Sequence, residues 1–76
     1  MELYYDENLA AQILLNEVLK ELKLSGKTEE IVKNSNIERI LRKLNRIIKR
    51  RYSVVKQGVL KKNIFSILRN DYGIQF

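Results

Sequence analysis

Residues 37–52 read IERILRKLNRIIKRRY, and two patterns are superposed in them. Ile37, Ile40, Leu41, Leu44, Ile47 and Ile48 recur at three- and four-residue spacing. On a helical wheel they fall within a stripe roughly 120° wide, the signature of an amphipathic helix. Arg39, Arg42, Lys43, Arg46, Lys49 and Arg50 take the opposite arc, and only Arg51 projects back toward the apolar side. Such a stripe needs a core to bury it. The stretch therefore predicts a long helix within a small helical domain, its basic face turned outward.

That outer face is unusual in having one sign of charge. After Glu38 no acid occurs until Asp71. The like pairs Arg39/Lys43, Arg42/Arg46, Arg46/Lys49 and Arg46/Arg50 stand three or four residues apart, where repulsion costs roughly a few tenths of a kcal/mol each. Nothing within the helix offsets it.

Working toward the N-terminus, Ser35-Asn36-Ile37-Glu38 has the S-x-x-E form of a capping box, which predicts that the basic helix starts at Asn36 and spans 36–51. Thr28, followed by Glu29 and Glu30, reads as the cap and acidic first turn of a short helix that carries Ile31 and Val32 and ends by Asn34. Farther upstream, Asp6 can cap a helix over about 7–24, in which Ala11, Leu14, Leu15, Val18 and Leu22 keep the helical beat. Leu24-Ser25-Gly26 closes it, with Gly26 suited to the left-handed residue after the last turn.

Downstream, Leu60, Ile64, Ile67 and Leu68 predict a fourth helix over about 59–71, stopped at Gly73. Residues 52–60 fit a helix end, a loop or one arm of a β-ribbon. The tail GIQF either packs on the core or pairs with the LYY stretch near the N-terminus.

The expectation is one all-α domain over 1–76, a small four-helix domain with a helix-turn-helix-like pair. The alternative is a winged helix-turn-helix with a β-ribbon near residues 52–65. At 76 residues the core is small, and a homodimer that enlarges it is expected. Apolar residues make up 45% and charged residues 32%, with three Gly and no Pro, a mixture that favours helices over disorder.

Several classes of chemistry are excluded by composition. There is no Cys and no His, which removes disulfide frameworks, thiol nucleophiles, Cys/His zinc sites and imidazole catalysis. Asp6/Glu7 and Glu29/Glu30 are adjacent in sequence, so on a helix their carboxylates diverge; they suit the positive ends of helix dipoles better than acid–base work. No enzyme, cofactor, metal or small-molecule substrate is expected. No window approaches the roughly eighteen apolar residues of a membrane span, and the acidic start MELYYDENLA is unlike a secretion signal. A soluble, cytoplasmic protein is the reading. Membrane-surface binding is disfavoured, because the apolar stripe holds Ile and Leu without an aromatic.

Charge points to the partner. Residues 1–38 hold eight acids against four Lys, a net −4, whereas residues 39–76 hold eleven bases against Asp71 alone, a net +10. An AT-rich genome would inflate Lys, Ile and Asn, but it does not explain six Arg, five of them between positions 39 and 51. A concentrated basic face suits a polyanion. A short helix followed closely by a longer basic one outlines a helix-turn-helix, in which the second helix enters the major groove of double-stranded DNA. On that reading Asn36, Arg39, Lys43 and Arg42 reach base edges, while Arg46, Lys49, Arg50 and Arg51 meet phosphates. Lys61 and Lys62 are further nucleic-acid contacts, and in the winged alternative they and Lys56 touch the adjacent backbone or minor groove from the β-ribbon. The function expected is that of a small DNA-binding transcriptional regulator of plasmid or phage type. The alternative is a protein-interaction module or inhibitor that docks its basic face on an acidic protein partner.

Overall fold

The structure is a computed structural model and describes residues 6–24 and 27–75. It contains α1 (Glu7–Glu21), α2 (Thr28–Ile31), α3 (Asn34–Arg51) and α4 (Val54–Tyr72), with no strand among the described residues. The class is all-α, with four helices.

Each long helix exists because its apolar positions return to one face. Ala11, Leu14, Leu15, Val18 and Leu19 of α1 are buried against Ile40, Leu44, Ile47 and Ile48 of α3 and Leu60, Ile64 and Leu68 of α4. Ile31 from α2 and Ile74 beyond α4 join this core, and among the described residues no polar side chain is buried with them. The stripe that decides α3 is thus core, except that Ile37 and Leu41 are only partly covered. The most extensive packing is between α1 and α4, and α3 touches α4 least of the three long pairs. At 18 and 19 residues, α3 and α4 make the molecule elongated, 41 × 22 × 22 Å.

The helix ends depart from expectation in several places. Asp6 does cap α1, its carboxylate accepting from the Leu9 amide at 3.1 Å. But α1 ends at Glu21 rather than near Leu24, because Lys23 takes the left-handed conformation at φ 58°. The Leu24 amide then donates to the Leu19 carbonyl at 2.9 Å and the Lys23 amide to Lys20 at 3.1 Å, a Schellman closure. This turn folds Leu22 and Leu24 onto the core. The expected role of Gly26 lies outside the described residues.

Thr28 is the first residue of α2, not its cap; Lys27 holds the cap position without a side-chain bond. The capping box is likewise not formed. α3 starts at Asn34, two residues before the expected Asn36, with Lys33 as its uncapped flank. A tertiary bond displaces the local one: the Asn36 side-chain amide donates to the Glu30 carbonyl at 2.7 Å, which requires Asn36 inside the first turn of α3.

The winged alternative is overturned. Residues 54–65 belong to α4, which begins where the Ser53 hydroxyl accepts from the Lys56 amide at 3.5 Å and the Gln57 side chain donates to the Tyr52 carbonyl at 2.9 Å. With the chain capped there, α4 begins five residues before the expected start near 59, and Val54 and Val55 stand 83% and 79% exposed. At its far end Gly73 takes φ 69° as expected, its amide donating to Arg69, and Ile74 folds back as a buried residue. The tail thus packs on the core through Ile74; the LYY stretch lies outside the described residues. The order short helix, two-residue turn, long helix is present, but α2 is a single turn. The helical class is established, whereas the helix-turn-helix motif is not.

Candidate nucleic-acid interface

The helical period sorts the cations of α3 into three rows. Arg39, Arg46 and Arg50 form the outermost row and are all exposed. Lys43 and Arg51 lie on the flank beside α1. The other flank, beside α4, carries Arg42 and Lys49, also exposed.

The α1 flank is neutralised from within the fold. Lys43 Nζ lies 2.8 Å from Glu21 Oε2. The Arg51 guanidinium grips Glu17 with both terminal nitrogens at 3.1 Å, a two-pronged geometry that only Arg offers. The order Glu17, Glu21 along α1 matches Arg51, Lys43 along α3, so the two helices run in opposite senses here. The hydrogen bond from Arg51, aided by its charge and opposed by some desolvation, holds the Glu17 carboxyl below its ordinary value. The same bond pushes Arg51 further up. Both pairs are wet, with side-chain exposures between 34% and 53%, so each adds little to stability and its partners exchange readily.

These pairs divide the predicted residues. Arg39, Arg42, Arg46, Lys49 and Arg50 meet no carboxylate within 4.0 Å among the described residues. Arg39 has only a weak contact to Asn36 Oδ1, at 3.4 Å. Asn36 itself is part-buried and committed to Glu30, so its amide tethers α2 to α3 rather than pointing at a ligand. From α4, Lys61 is brought to Arg42: both line a groove of about 340 Å³ between α3 and α4, floored by Leu41, Leu44, Ile48, Ile64 and Phe65, with Asn45 between. Lys62 is exposed on α4 and lines no part of that groove.

Sequence reasoning missed Glu17 and Glu21. Their spacing of four residues on α1 was visible as a signal, but that they face α3 depends on how α1 is rotated against it. Neither a cluster of three metal-ligating side chains nor a helix long and apolar enough to cross a membrane occurs among the described residues. Comparison with known proteins finds no match: no family model, no curated sequence and no solved structure. The exposed face of α3 is a convex helix surface with five cations over about three turns and no carboxylate beside them among the described residues, a distribution whose charge complements an extended anion.

Proposed function

We propose that this protein binds duplex DNA through the exposed face of α3, as a small regulator of transcription. The observation that carries the reading is the set of cations left without acids: Arg39, Arg42, Arg46, Lys49 and Arg50. A fold that neutralises one flank of a helix with its own carboxylates and leaves the rest bare tolerates repulsion that an anionic partner relieves. Arg39, Arg46 and Arg50 span about 16 Å of helix, at 1.5 Å per residue, long enough to cross a groove and meet the backbone. Arg39 and Arg42, nearest the N-terminus of α3, are the base-edge candidates; the remaining three are phosphate contacts. Lys43 and Arg51 join only by leaving Glu21 and Glu17.

Phosphate contacts release counterions, so affinity must fall steeply with salt, and the three phosphate contacts give a log–log slope of about −3. Fluorescence anisotropy with a mixed-sequence duplex at low salt tests the reading. Binding that weakens on this slope, and is lost in an Arg42→Glu/Arg46→Glu variant with unchanged circular dichroism, is expected. A parent protein that does not bind, or a charge-reversed variant that binds equally well, contradicts it.

A further inference from the structure

The groove between α3 and α4 is not needed to bind a duplex. α3 and α4 are joined by only Tyr52 and Ser53, yet they pack on each other less than either packs on α1. Between them runs the groove, with Leu41 and Phe65 half-buried on its floor.

We propose that this groove is a docking site for an acidic amphipathic helix of a protein partner. Its shape supports a helix. On the α3 wall the lining positions Leu41, Leu44, Asn45 and Ile48 cover two turns, about 10 Å at 1.5 Å per residue. That length takes the apolar anchors of a partner helix at i, i+3 or i+4, and i+7. Seated there, the partner supplies the missing fourth long helix of a bundle. Its charge follows from the rim. Arg42 guards one side and Lys61 the other, and no lining residue is acidic. Arg46 and Lys62, each near a rim cation in sequence and both exposed, extend the positive field. Glu38, one turn before Arg42, is the one acid on that edge of α3. Carboxylates flanking an apolar stripe complement this arrangement, whereas a cationic helix is repelled by it.

Arg42 belongs both to this rim and to the DNA-facing surface. A docked helix and a duplex therefore compete, and the partner acts as a release signal. That consequence rests on the DNA reading; the docking itself does not, and the two fail separately.

The test uses the full chain, ¹⁵N-labelled, with three synthetic eighteen-residue peptides: one with a Leu stripe and Glu flanks, one with Lys in place of Glu, and one with Ser in place of Leu. The Leu/Glu peptide is expected to shift the amides of residues 41–48 and 61–65. It should bind at least tenfold tighter than either control, a preference that an Arg42→Glu/Lys61→Glu variant loses. Both substituted side chains border solvent, so the variant's fold, checked by circular dichroism, is retained. Four results overturn the proposal. They are a Leu/Lys or Ser/Glu control that binds as tightly as the Leu/Glu peptide; shifts that map to Arg39, Arg46 and Arg50 without the groove; groove shifts reproduced by laurate and not by the peptide; and a free protein that is a dimer split by Leu41→Arg, which marks the groove as a contact between copies.

Discussion

Lys23 sits at φ 58°, where a side chain crowds the backbone and glycine does not. The strain is tolerated because the turn brings Leu22 and Leu24 onto the core. Replacing Lys23 with Gly should therefore stabilise the fold by about 1 kcal/mol, seen as a rise of roughly 4–8 °C in Tm for a domain of this size; a lower Tm would refute the strain. Glu17 offers a second check at this scale. Its carboxyl is held below the ordinary 4.5 chiefly by the hydrogen bond from Arg51. A depressed carboxylate contributes stability that is present in full above its unfolded value and is lost as pH falls through the folded one. In an NMR titration Glu17 should titrate below 4.5 and move up in Arg51→Ala; an unchanged midpoint would mean that the pair does not persist in solution.

At the scale of elements, spacing made α1, α3 and α4 legible, because each has an unbroken apolar face that only a helix can bury. The boundaries were less legible, since local cap signals compete with tertiary bonds. Ser35 and Glu38 have the form of a capping box, but Asn36 bonding to Glu30 draws α3 back to Asn34. The segment after Tyr52 holds Gly58 between apolar runs and resembled a ribbon turn. Ser53 and Gln57 instead start a helix through it, by side-chain bonds that no apolar period reports. Gly58 then lies inside α4, exposed, with nothing within 4 Å of where a Cβ would stand. Gly58→Ala should raise stability by about 0.5–1 kcal/mol in chemical denaturation, the ordinary helix advantage of Ala. A loss there would mean that α4 does not begin at Val54.

For the whole molecule, the sequence divides its charge between halves, and folding does not keep the halves apart. α1 lends Glu17 and Glu21 to α3, so seven cations become five bare ones. The basic face was legible from residues 39–51 alone; its trimmed outline was not, because it depends on ion pairs whose partners lie 22 and 34 residues apart in the chain. On the proposed function, the bare cations of α3 are the DNA contact and α1 withholds Lys43 and Arg51 from it. The slope of log K against log salt for a mixed duplex tests this in three proteins. The parent should give about −3, and Glu17→Gln/Glu21→Gln, which frees two cations, should steepen it by about 0.9 per cation, while Arg42→Glu/Arg46→Glu should abolish binding. One slope shared by all three, or no binding by the parent, would contradict the account.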